Sequence, residues 1–64
     1  MDIKQYRQKI GLTQAQLADA AKVSRVAIFR YESGKRIPPP PIAQRIAAVL
    51  GFDWTAFYQD KPAH

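Results

Sequence analysis

Between Thr13 and Arg36 the chain carries two short helix patterns separated by a break of two residues, and this pairing limits what the rest can build. Thr13 followed three positions later by Gln16 is a capping box, in which both side chains satisfy backbone N–H groups that no helical carbonyl reaches. Leu17, Ala18 and Ala21 then fall on one apolar stripe. The break comes at Lys22-Val23, and Ser24 is a good N-cap for a second helix. Ile28 and Tyr31 give that helix its inner face, and Gly34 stands where a left-handed residue ends a helix without steric cost.

With Ile28 turned inward, Arg25, Val26, Phe29, Arg30 and Ser33 lie on the outward side of the second helix. Two arginines, a small apolar residue and a hydroxyl are the groups that read base edges in a major groove. Arginine donates two bonds to guanine, and a small apolar side chain touches the thymine methyl.

The stretch resembles the helix-turn-helix of the lambdoid phage repressor and Cro proteins, also called XRE-type regulators. The residues that carry the resemblance are Thr13-Gln14-Ala15, Leu17-Ala18, Val23-Ser24, Ile28, Glu32, Gly34 and Lys35, and it extends over residues 3 to 58. The family usually has Gly in the turn, where this chain has Lys22. A left-handed residue there is strained when it is not Gly. Either Lys22 takes that conformation at modest cost, or the turn differs in detail.

The remaining segments also read as helix. Residues 2–10 form a first helix with Ile3, Tyr6 and Ile10 on one face, Asp2 at the positive end of its dipole and Lys9 at the negative end. Gly11, Gly34 and Gly51 each follow a predicted helix. Helix 2 spans about 14–21 and helix 3 about 25–33. Residues 35–41, Lys-Arg-Ile and four prolines, form a stiff connector whose last proline opens helix 4, where a missing N–H costs nothing. The alternative is that the proline run is a ligand for an aromatic groove in a partner. Helix 4 spans 41–50, with Ile42, Ile46, Val49 and Leu50 on its apolar stripe and Arg45 off it. Asp53 caps a fifth short helix over 53–58. Trp54 and Phe57 are expected to close the core, while Phe57 and Tyr58 are also candidates for a dimer seam. Residues 61–64 read as a frayed tail.

The expected fold is all-α: one compact five-helix domain over residues 1–64. The expected core is Ile3, Tyr6, Ile10, Leu17, Ala18, Val23, Ile28, Tyr31, Ile42, Ile46, Leu50, Trp54 and Phe57. A chain of 64 residues buries only about 60% of its unfolded surface, so its stability is marginal and pairing of two chains would help.

The net charge of +5 is concentrated: residues 22–36 hold Lys22, Arg25, Arg30, Lys35 and Arg36 against Glu32 alone. A basic patch on one segment suits a polyanion, although a solvated basic face gives the same count. There is no cysteine, so disulfides, thiolate metal sites and cysteine catalysis are absent. The single histidine is the last residue, and no paired acids or Gly-rich phosphate loop occur, so neither a catalytic nor a metal site is expected and no cofactor is implied. The longest apolar run, Ile46 to Leu50, is too short to span a bilayer, and the N-terminus has no apolar signal core. A cytoplasmic protein is the expectation.

Glu32 sits about 40° from Ile28 around the helix, nearer the core than the groove face, with Arg7 a candidate partner. The resemblance implies a buried Arg7–Glu32 bridge beneath the recognition helix. It also implies that Gln14, at the start of helix 2, bonds a DNA phosphate. Base reading falls to Arg25, Val26 and Arg30, with a phosphate contact the alternative for Arg30. Phosphates fall to Gln14, Ser24, Lys35 and Arg36. If the family uses the start of helix 4 as an amide clamp on phosphate, Pro39, Pro40 and Pro41 offer no N–H there, which leaves the clamp to Lys35 and Arg36. Phe29 touches either a thymine methyl or sugar, or a neighbouring helix.

The expected function is sequence-specific double-stranded DNA binding by a repressor-like regulator of transcription, as a homodimer on a two-fold operator. One rival is an antitoxin-like module that binds a protein partner on the same fold. The other is a nonspecific nucleic-acid or RNA binder.

Overall fold

Local signals set nearly every helix end. The computed structural model describes residues 2–58, in which α1 (Ile3–Ile10), α2 (Gln14–Ala21), α3 (Arg25–Glu32) and α4 (Pro40–Leu50) precede a 3-10 helix (Trp54–Tyr58). Asp2 Oδ1 accepts from Gln5 N at 3.2 Å to open α1. The capping box of α2 is complete: Gln16 N donates to Thr13 Oγ1 at 3.0 Å, and Thr13 N donates to Gln16 Oε1 at 2.8 Å. Ser24 Oγ accepts from Ala27 N at 3.0 Å to open α3.

Several boundaries differ by one residue from the sequence reading: α1 starts at Ile3 with Asp2 as its N-cap, and the last element starts at Trp54. Ser33 leaves α3 as its C-cap, one residue early, and Gly34 follows at φ 82°. Helix α4 begins at Pro40, with Pro39 as N-cap, so two prolines occupy first-turn positions whose N–H groups would be orphaned anyway. The last element is a 3-10 helix because Asp53 imposes a tight turn. Its carboxylate accepts from Thr55 N and Oγ1, and Ala56 N donates to Asp53 O, three residues back, at 2.9 Å.

The core centres on Leu17, Ile28 and Ile46, one from each of α2, α3 and α4, all fully buried. Each contributes about 1.5–3 kcal/mol from removal of its side chain from water. Ala18 and Ala21 of α2 and Ala43 and Ala47 of α4 are also buried. Ile3, Leu50 and Phe57 complete the interior, with Val23, Tyr31, Ile42 and Trp54 packed at its edge.

Two expected core residues lie outside it: Ile10 is 50% exposed and Tyr6 is 37% exposed. The inward line of α1 is Ile3 and Arg7, four apart, which leaves Tyr6 and Ile10 on its shoulder. Tyr6 instead leans on Phe52, with ring centroids 4.8 Å apart, and Phe52 in turn meets Phe57 at 5.4 Å. Phe52 thus joins α1 to the C-terminal turn.

The proline run is not a free rod. Pro38 is buried, Pro40 and Pro41 are helical, and Tyr58 Oη donates to Pro38 O at 2.7 Å. Only Pro38 and Pro39 remain in the connector, too short a stretch for recognition as a polyproline ligand. Among the described residues there is no strand, and no helix is long and apolar enough to cross a membrane. The expected tail at 61–64 lies outside the described residues.

Candidate nucleic-acid interface

The turn between α2 and α3 fixes how α3 is presented. Lys22 adopts φ 62° and ψ 46°, the one left-handed non-glycine among the described residues. Its N–H donates to Ala18 O and Asp19 O, and Val23 N donates to Ala18 O at 2.9 Å. These bonds close the end of α2 in the manner that normally calls for Gly, so the geometry is kept and Lys22 bears the strain. A third carbonyl is taken from outside: Arg45 Nε on α4 donates to Ala21 O at 2.8 Å. The sequence reading gave Arg45 no task. Its only signal was a cation off the apolar stripe of α4.

Beneath α3, Arg7 and Glu32 bring two covered charges into one network. Arg7 Nε donates to Glu32 Oε2 at 2.6 Å and Nη2 to Glu32 Oε1 at 3.1 Å, while Nη1 donates to Leu12 O at 2.8 Å. The two side chains are only 10% and 5% exposed. Gln14 Nε2 adds a bond to Glu32 Oε1 at 3.0 Å. Burial alone would push the Glu32 carboxyl up. The hydrogen bonds from Arg7 and Gln14, with the charges of Arg7 and Lys4, outweigh it and hold the group below the ordinary range. The Arg7 guanidinium is raised, chiefly by its bond to Glu32. Arg7 is therefore a structural member of the scaffold that sets α3 in place.

The outward face of α3 is open. Arg25, Arg30 and Ser33 are exposed, Val26 is 57% exposed and Phe29 53%. The side chains of Arg25 and Arg30 make no hydrogen bond or ion pair with a described residue. Lys35 and Arg36 are exposed just beyond α3, and their backbone N–H groups bond Arg30 O. Ala27, Arg30, Tyr31 and Arg36 line a shallow hollow along one flank of the helix, so two of the cations expected to meet DNA share that side. Ser24 stands at the head of α3, where its Oγ is engaged as the cap. Gln14 sits at the head of α2 with one amide hydrogen committed to Glu32 and the other free.

The two residues expected at a dimer seam differ in exposure. Phe57 is 8% exposed and belongs to the chain's own core, so its ring has almost no surface for a partner. Tyr58 remains 38% exposed but commits its hydroxyl to Pro38.

The family model described as helix-turn-helix matches residues 3–57. An uncharacterized HTH-type transcriptional regulator of Bacillus subtilis, YqaF, is 38% identical over 58 residues, covering 91% of this chain and 76% of that protein. An uncharacterized HTH-type transcriptional regulator of Methanothermobacter thermautotrophicus is 41% identical over 49 residues, covering 77% of this chain and 71% of that protein. The N-terminal DNA-binding domain of SinR from Bacillus subtilis superposes with a TM-score of 0.80 at 25% identity, over 97% of this chain and 90% of that one. A capped α2, a left-handed turn, an α3 seated on a buried ion pair and these likenesses lead to one conclusion: the chain is a DNA-binding domain of the helix-turn-helix family of XRE-type transcriptional regulators.

Proposed function

We propose that the protein is a sequence-specific repressor that lays α3 in the major groove of double-stranded DNA and binds a two-fold operator as a homodimer. The observation that carries the reading is the outward face of α3, where Arg25, Val26 and Arg30 are exposed and the two arginine side chains have no hydrogen-bond or ion-pair partner among the described residues. Arg25 and Arg30 have the donors for guanine edges, and Val26 is a surface for a thymine methyl. Gln14, Ser24, Lys35 and Arg36 flank that face and hold phosphates. In a dimer the two recognition helices would stand about 34 Å apart, one duplex turn. With about eight phosphates neutralised per dimer, log affinity falls with log salt at a slope near −7.

Selection of bound duplexes from a random pool tests this reading. The expected product is a pseudo-palindrome with half-sites one helical turn apart. Substitution of Arg25 by Ala is expected to relax preference at one base pair, at a cost of about 1–3 kcal/mol. The double change of Lys35 and Arg36 to Gln is expected to weaken selected and random duplexes alike. A pool that shows no enrichment, with less than about tenfold discrimination, would remove base reading from the account.

A further inference from the structure

A second hollow opens on the other flank of α3, where α1, α2 and α3 meet, and its walls are unlike those of a purely structural cleft. It is lined by Lys4, Arg7, Gln14, Phe29, Glu32 and Ser33. Both Glu32 oxygens on its floor are hydrogen-bonded by Arg7 and Gln14, and the charge of Lys4 also acts on that carboxylate from the rim. The rim itself is open. Lys4 is exposed and makes no hydrogen bond or ion pair with a described residue. Gln14 keeps one amide hydrogen, since its NH2 group has two and one goes to Glu32. The ring of Phe29, half exposed, supplies the apolar wall. Ser33 donates its hydroxyl hydrogen to Arg30 O at 3.1 Å and so brings no further donor to the rim.

An ammonium and an amide N–H beside a flat apolar surface suit an anion carried next to a ring of carbon. In a duplex that unit is a phosphodiester with its deoxyribose. The place of Lys4 agrees, for α1 lies beside the groove-reading helix, where the backbone runs, and not at its tip. We propose that Lys4, Gln14 and Phe29 form a seat for one nucleotide of the DNA backbone, with Lys4 and Gln14 on the phosphate and the Phe29 ring against the sugar. The seat rests on the reading of α3 as the groove-facing helix. It makes Lys4 a DNA contact and sets the half-exposed Phe29 ring against the duplex.

The test compares the whole chain with Lys4→Gln, and with Lys9→Gln as control, since Lys9 lies on a different side of α1. Binding to the selected operator and to a random duplex is measured across a salt series. Lys4→Gln is expected to make the salt slope shallower by about 0.9 per protomer on both duplexes, whereas Lys9→Gln leaves it unchanged. A walk of single methylphosphonates, which neutralise one phosphate at a time, is expected to find a position that weakens the wild type but not Lys4→Gln. Phe29→Ala is expected to weaken all duplexes by one common factor. An unchanged slope in Lys4→Gln, or the lack of such a phosphate, overturns the seat. A Phe29→Ala loss confined to sites with thymine at one position moves the ring onto a base and overturns the sugar contact. If the wild type does not discriminate between duplexes, base reading fails while the Lys4 slope still reports on the seat.

Discussion

Arg7 and Glu32, 25 positions apart in the chain, meet as a two-pronged pair, Nε to Oε2 at 2.6 Å and Nη2 to Oε1 at 3.1 Å. The pair joins α1 to the end of α3, and each side chain is at least nine-tenths covered. Substitution of either partner by Ala leaves a buried charge alone and is expected to cost about 3–5 kcal/mol in urea denaturation. Replacement of both by leucine is expected to cost less than either single change, because no charge is stranded. Equal losses in singles and double would show that packing, not charge, sets the cost.

The same pair makes stability depend on acid. The Glu32 carboxyl is held below its ordinary range in the folded chain, so the unfolded chain takes up a proton first as pH falls. The stabilisation is complete above the unfolded carboxyl value, about 4.3, and is lost as pH falls through the lower folded value. Melting temperature is expected to be level near neutrality and to drop below about pH 4. In Glu32→Gln the part of that drop due to this group is expected to vanish, leaving a shallower acid limb.

Lys22 stores strain that Gly would release. At φ 62° its Cβ crowds the backbone, with a penalty of about 1–2 kcal/mol. Lys22→Gly is expected to stabilise the fold by about 1 kcal/mol, after the extra entropy Gly brings to the unfolded chain. That corresponds to a rise in Tm of about 4–8 °C for a domain of this size, read by calorimetry. A fall in Tm would mean that the lysine makes up for its backbone in some other way.

Arg45 is expected to matter more than its exposed position suggests. Arg45→Met keeps the aliphatic stem but removes the Nε–H that reaches Ala21 O. The expected cost is about 1 kcal/mol. Faster amide hydrogen exchange is expected at Lys22 and Val23, where α2 ends. Exchange that quickens uniformly along the chain would instead indicate a global effect.

The helix ends were legible from the chain because they depend on neighbours: Thr13 with Gln16, Ser24 before its helix, a glycine after three of the elements. The order of the helices and the outward face of α3 followed from that. What periodicity did not show was which member of a stripe lies at its centre. Ile3, Tyr6 and Ile10 share a stripe by spacing, yet the inward line of α1 runs from Ile3 through Arg7, whose partner sits on α3, and leaves Tyr6 and Ile10 on its shoulder. Pairings over long separations had no local trace: Arg45 with Ala21, Gln14 with Glu32, Tyr6 with Phe52. Phe57 could not be divided between core and seam until Phe52 was seen against it. The Lys4 hollow was invisible for the same reason, since three helices must meet before it exists.

Proline at three successive positions, from Pro39 to Pro41, changes where grip on a duplex can come from. A backbone amide is neutral and can hold a phosphate oxygen without displacing the sodium or potassium gathered around it. Lysine and arginine side chains attract the same oxygen by driving those ions into bulk solution, and the gain is their freedom to mix there. On the proposed reading, in which Lys35 and Arg36 take the place of backbone amides at the phosphate, the hold on DNA would follow the ionic composition of its surroundings and loosen as they become more concentrated.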